Sequence, residues 1–350
     1  MPCTLCENIP EIGESNGSII FSCMVTELIT KIRKILTSSD IEYNIDNSYT
    51  ISAKIKNFKE FITFICESND FSESERKVIN VLFIENIEDF NPTHLVNLKS
   101  LEKYKFLIKS IYLAKLIKNE NLTIHFQPIV STTDKKIIGY EALSRGFDDE
   151  GNLIEPLQMI EWARQGDMIS LLDKNFRENS LKAAASENIE NLIFINFIPT
   201  AIYDPAHCLR TTVQWAKDLN INPKNIVFEV VESDYVEDIP HLKNILSFYK
   251  KQGYMVALDD VGSGTASLQM IMEIKPDIIK IDSSIIRNIH EENSKQSIFN
   301  SIVKLAKDSD IKVLAEGVET QEELDYCFNS VDMIQGFYYG RPSSEIKKSI

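Results

Sequence analysis

No apolar stretch among the 350 residues reaches the roughly 18 needed to span a bilayer, so a transmembrane segment is not expected. The N-terminus, Met1-Pro-Cys-Thr-Leu-Cys6, has neither the basic nor the apolar region of a secretion signal, and the expected location is the cytoplasm. Positive charge is also short, with 37 Lys/Arg against 52 Asp/Glu and a net charge of −15. Such a surface does not grip DNA, RNA or anionic lipid by charge, although cations could still bring a phosphate ligand to an acidic site. The six cysteines are mostly scattered, as in free thiols of a reducing compartment. Cys3-x-x-Cys6 lacks the second pair that a structural zinc site needs, and two ordinary thiols are expected there. Gly262-Ser-Gly264 has Ser267 where a dinucleotide-binding loop needs its third glycine, which argues against a Rossmann site.

What is present is a core-forming chain, 43% hydrophobic and long enough for two domains. The acidity is uneven: residues 1–120 hold 14 Lys/Arg against 17 Asp/Glu, the remainder 23 against 35. Residues 19–38 run from an apolar segment into a helical pattern, and 48–55 alternate with the period of a strand. Helices are expected at 57–67 and 73–83, the second capped by Ser72, and a longer one at 92–119 with a lysine-rich solvated face. This defines a small α/β domain over 1–90 of unread role, a connecting helix over 91–120, and a second domain over 121–350.

From 121 the rhythm becomes strand, loop, helix. Strands are expected at 122–130, 137–143, 192–198, 226–232, 254–260, 278–282, 312–316 and 333–337. Helices are expected at 157–185, 206–219, 239–252, 265–274, 293–308 and 320–329. The count and length match a (β/α)₈ TIM-like barrel. The first two strands are separated only by 131–136, too short for a helical crossover, so they should form an antiparallel pair. Four apolar runs end in carboxylates: Tyr140-Glu-Ala-Leu-Ser-Arg145, Val227-Phe-Glu-Val-Val-Glu-Ser233, Leu258-Asp-Asp-Val-Gly-Ser-Gly264 and Leu314-Ala-Glu-Gly-Val-Glu319. In a parallel barrel these ends share one rim, which would gather Glu141, Asn196, Glu229, Asp259, Asp260 and Glu316. So many oxygen ligands repel unless cations lie between them, and oxygen favours Mg²⁺ or Mn²⁺ over zinc. Asp259 and Asp260 cannot both point inward in a regular strand; where the period breaks they could reach two ions about 3.5–4 Å apart, the arrangement for in-line attack on a phosphodiester.

Glu141-Ala-Leu143 followed by Arg145 resembles the signature of the EAL domain, a bacterial family that hydrolyses cyclic di-GMP. The resemblance continues through Gln127-Pro-Ile-Val130, Asn196-Phe, Glu229-x-x-Glu232-Ser, Asp259-Asp-x-Gly-Ser-Gly264, Lys280-Ile-Asp282, Ala315-Glu-Gly-Val-Glu319 and Gln335-Gly-Phe. It implies that Glu141, Asn196, Glu229, Asp259, Asp260 and Glu316 hold two divalent cations, Mg²⁺ or Mn²⁺. It further implies that Lys280 positions the attacking water with help from Gln335, and that Gln127, Leu143 and Arg145 contact the dinucleotide. Glu232 and Glu319 would support these residues from behind, and a homodimer is implied through the barrel. The expected activity is hydrolysis of cyclic di-GMP to linear pGpG. The alternatives are a catalytically weak receptor or adaptor of the same fold, or a barrel hydrolase for another phosphodiester. No stretch before residue 120 resembles a cyclic di-GMP synthase.

Overall fold

The computed structural model describes residues 9–230, 238–263 and 268–350. Cys3, Cys6, Glu232 and Gly264 lie outside the described residues. The described chain divides into two compact units: one holds Glu120–Pro156 and Ser170–Ile350, the other residues 9–119 together with Leu157–Ile169. No described helix is long and apolar enough to cross a membrane.

The first unit in sequence contains β1 (Gly17–Ser22), α1 (Thr26–Ser38), β2 (Tyr43–Asn47), β3 (Thr50–Ile55), α2 (Phe58–Glu67), α3 (Glu73–Val78), β4 (Asn80–Ile84), β5 (Lys99–Ser100) and α4 (Leu101–Lys118). Its strands form an antiparallel sheet in the order β2-β3-β1-β4-β5. Leu28, Ile29, Ile32, Ile35 and Leu36 form the stripe that buries α1. Ser72 caps α3 in a full capping box with Glu75.

Two expectations are corrected here. The helix read over 73–83 ends at Val78, because Ile79 turns extended and the branched, apolar run Asn80–Ile84 pairs with β1 instead. The helix read over 92–119 begins only at Leu101, where the Ser100 side chain accepts from Lys103 N. Ahead of it, Pro92–Asn97 forms a 3₁₀ turn, and Leu98 is extended. Leu101, Tyr104 and Leu107 are buried in this unit's core, so α4 is part of it and not a free connector.

The second unit contains β6 (Leu122–Ser131), β7 (Ile137–Phe147) and β8 (Leu153–Ile154). In the chain there follow α5 (Pro156–Gln165), which from Leu157 on belongs to the other unit, and α6 (Ile169–Ser186). The single helix expected over 157–185 is thus two: the chain breaks at Gly166-Asp167, with Asp167 in the left-handed region at φ 64°. After them come β9 (Leu192–Phe197), α7 (Pro205–Cys208), α8 (Arg210–Asp218), β10 (Ile226–Val230), α9 (Ile239–Lys251), β11 (Met255–Val261) and α10 (Leu268–Ile274). The chain finishes through β12 (Ile278–Ile281), α11 (Ser283–Ile286), α12 (Asn293–Asp308), β13 (Lys312–Ala315), α13 (Gln321–Cys327) and β14 (Met333–Gln335).

The sheet runs β6-β14-β13-β12-β11-β10-β9-β7, and β6 pairs with β7 to close it. This is the TIM-like barrel expected. Within the closed ring all neighbours are parallel except β6, which is antiparallel to both β7 and β14; the short β8 adds an antiparallel edge to β7. Inside, Ile129, Phe194, Val227, Ala257, Ile278, Leu314 and Met333 pack into an apolar floor. Since side chains alternate along a strand, the residues two positions nearer the rim at the C-terminal ends of the parallel strands face the same lumen. Those residues are Gln127, Asn196, Glu229, Asp259, Lys280, Glu316 and Gln335, joined on β7 by Glu141. The fold therefore stacks one polar layer directly on one apolar layer.

Candidate active site

Lys280 stands at the centre of the polar layer, 1% exposed. Its Nζ lies 2.6 Å from Glu316 Oε1, 3.0 Å from Glu229 Oε1, 3.1 Å from Asp259 Oδ1 and 3.8 Å from Glu141 Oε2. Amides brace one side of this ring. Gln335 Nε2 donates to Glu141 Oε2 at 2.7 Å and to Gln127 Oε1 at 3.0 Å. Asn196 Nδ2 donates to Glu141 Oε1 at 2.9 Å, which leaves the Asn196 carbonyl oxygen as an acceptor. Gln127 is held in turn by donating to the Gly340 carbonyl at 3.2 Å.

Asp259 and Asp260 both reach the site because β11 breaks its period between them. Leu258 pairs with Ile279 and Val261 with Ile281, so three steps along β11 match two along β12. Asp260 takes up the extra residue in the left-handed region at φ 53°, where aspartate is tolerated better than most side chains. Gly262 follows at φ 101°, which a side chain would not accept. Carboxylate oxygens of Glu141, Glu229 and Asp259 lie within 4.8 Å of one another, as do those of Asp259, Asp260 and Glu316.

One lysine cannot neutralise five acids. Burial pushes the Glu229 and Glu316 carboxyls well above the usual range, and neighbouring acids add to the shift against the pull of Lys280. Burial lifts Asp259 in the same direction. Glu141 goes the other way: burial opposes its charge, but Lys280 and the hydrogen bonds from Gln335 and Asn196 hold it below the usual value. Burial also disfavours the Lys280 ammonium, yet the four surrounding carboxylates raise it well above the ordinary lysine value. Glu229 is fully buried, and its Oε2 accepts no hydrogen bond among the described residues. A buried, unpartnered carboxylate oxygen among converging acids fits a hard divalent cation, and the donor set is all oxygen.

The pattern of the EAL domain matches residues 112–342, well over half of the chain. The chain belongs to the EAL family. It is 30% identical over 245 residues to a probable cyclic di-GMP phosphodiesterase, PdeG of Escherichia coli (strain K12), covering 67% of this chain and 47% of that protein. An uncharacterized signaling protein of Caulobacter vibrioides is 30% identical over 229 residues, covering 65% of this chain and 28% of that one. The chain spans less than half the length of these two curated relatives. A crystal structure of a standalone versatile EAL protein from Vibrio cholerae O395, in its c-di-GMP bound form, is 36% identical with a TM-score of 0.59. That match covers 65% of this chain and 95% of that one.

The other residues expected at the site lie unequally around the polar layer. Leu143 and Arg145 continue the Glu141 face of β7 and are half-buried; Arg145 Nη1 donates to the Ser144 carbonyl at 2.8 Å. The Glu319 side chain is well exposed and reaches Arg287 Nη2 only at 3.5 Å. In the barrel unit, two buried acids among the described residues lie outside the set expected from the sequence. Glu323 accepts three backbone hydrogen bonds beside Glu319; its signal was the Thr320-x-x-Glu323 capping-box spacing. Asp173 pairs with Arg177 and accepts from Ile198 N at 2.8 Å, just beyond Asn196. Nothing in the local sequence marks that contact.

Proposed function

We propose that this chain hydrolyses cyclic di-GMP to linear pGpG with two divalent cations, Mg²⁺ or Mn²⁺. The observation that carries the reading is the excess of carboxylates around a single buried lysine, on the lumen of an EAL barrel. Glu141, Asn196, Glu229, Asp259, Asp260 and Glu316 would hold the cations. When bound, these ions would offset phosphate charge and acidify water.

Water adds to one phosphorus, the bond from that phosphorus to the ribose 3′ oxygen breaks, and the ring opens with a 5′-phosphate at one end. Lys280, the basic side chain among these acids, would stand beside the incoming water and orient it. The water's proton would pass to a carboxylate of the ring. Gln335 keeps Glu141 in place and, with Gln127, lines the wall beside it. Arg145, a planar fork at the mouth, suits a phosphate oxygen pair, and Leu143 offers apolar contact to the dinucleotide.

The test is turnover of cyclic di-GMP by purified protein in Mg²⁺ and in Mn²⁺, beside a Glu141→Ala variant. Conversion to pGpG by the wild type and none by the variant supports the reading. Tight binding without turnover in either ion would instead show a receptor.

A further inference from the structure

We propose that Glu323 is a positioning residue that locks the connection behind Lys280 to the loop carrying Glu316. The inference rests on the metal-site reading above.

Glu323 is 2% exposed, and both of its oxygens are used. Oε2 accepts from Glu319 N at 2.8 Å and from Thr320 N at 3.1 Å, so it holds the loop that begins at Glu316. Oε1 accepts from Asn288 N at 2.9 Å, in the connection between β12 and α12. Lys280 lies near the end of β12, Glu316 directly follows β13, and the two strands are neighbours. One carboxylate thus bridges the segments behind the two side chains that meet at 2.6 Å. The loop has little slack elsewhere: Gly317 takes φ 65° with Ser283 close beside it, and Val318 N donates to Gln335 O at 3.2 Å. Burial opposes the Glu323 charge, but the three backbone donors hold its carboxyl below the usual value.

Capping α13 does not account for this. A capping box is served by Glu or Gln alike. The bond to Asn288 is outside that box and needs a second acceptor oxygen, which Gln lacks. Glu323→Gln therefore keeps the cap and cuts the bridge, whereas Thr320→Ala removes the Thr320 Oγ1 bond to Glu323 N and keeps the bridge.

Mn²⁺ titration by calorimetry, with metal-free thermal unfolding and cyclic di-GMP turnover, compares both variants with the wild type. Glu323→Gln is expected to weaken Mn²⁺ binding about ten- to hundredfold, and kcat with it, at an unfolding temperature near that of the wild type. Thr320→Ala is expected to lower the unfolding temperature and keep the Mn²⁺ affinity. Wild-type Mn²⁺ affinity in Glu323→Gln, or an equal loss in Thr320→Ala, overturns the proposal. Wild-type protein that binds Mn²⁺ without turning over cyclic di-GMP sinks the functional reading alone, and the titration still decides this one. Absence of Mn²⁺ binding by the wild type overturns both.

Discussion

Asp173 and Arg177 are as deeply buried as Lys280 and Glu229, yet the two charge groups are built on different terms. In the first, one acid meets one base: Arg177 Nε and Nη2 donate to Asp173 Oδ2 at 2.9 and 2.7 Å, and Nη1 reaches Thr212 Oγ1. Asp173 Oδ1 takes the Ile198 backbone, so charge is balanced and every carboxylate oxygen has a donor. In the second, a lone ammonium faces four carboxylates, a fifth stands beside them, and Glu229 Oε2 is left without a donor among the described residues. A balanced, satisfied pair holds a fold together. An unbalanced, unsatisfied ring stores repulsion that bound protons or a cation relieve.

The contrast can be broken most directly at Lys280. Lys280→Met should reduce kcat about 10²- to 10⁴-fold, measured as pGpG release, because the water loses the side chain that orients it. Next in size, Asp173→Asn should destabilise the protein by about 3–5 kcal/mol, because Arg177 is left buried without a counter-charge; chemical denaturation measures it. Chelation of divalent ions comes third. Going from a hundredfold excess of ion over its Kd to none should cost about 2.7 kcal/mol of stability, read as a fall in unfolding temperature.

That fall should grow with pH. Glu229, Glu316 and Asp259 have folded-state values raised above the ordinary carboxylate range. Their contribution to metal-free stability is complete below that range and is lost as pH rises through the raised values. Cations replace the missing protons, so protein with and without Mn²⁺ should diverge as pH climbs from the ordinary carboxylate range upward. A constant gap would contradict the repulsion argument. Smallest is Glu229→Gln, expected to stabilise the metal-free protein by on the order of 1 kcal/mol and to weaken Mn²⁺ binding. The equivalent neutralisation at Asp173 has the opposite sign, which is the sharpest statement of the comparison.

The barrel was legible because its strands are apolar runs that end in polar residues, and that punctuation survives in one dimension. Glu141, Asn196, Glu229, Asp259 and Glu316 could be named from the strand ends alone, whereas Gln127, Lys280 and Gln335 entered through the resemblance to the EAL domain. Local competition blurred the rest. The 73–83 segment carries a good cap and a helical start, but a strand partner in β1 outweighs its second half. The 157–185 pattern hides a left-handed residue at Asp167. Support residues were hardest to see, since their partners are distant: Asp173 meets Ile198, and Glu323 meets Asn288. Glu319 drew the eye through its motif, while the buried carboxylate belongs to a neighbour four residues on.

The slip in β11 has a consequence of simple counting. A closed barrel whose strands obey strict alternation can offer its lumen one side chain per strand at any level, and the level that matters here is already full. An extra acid cannot be added by substitution without displacing a neighbour. By letting the chain fall out of step once, between Leu258 and Val261, β11 contributes two aspartates where every other strand contributes one group. Deleting one residue from that slip would put the strand back in phase and return the tally to one, with no change to the amino acids that remain.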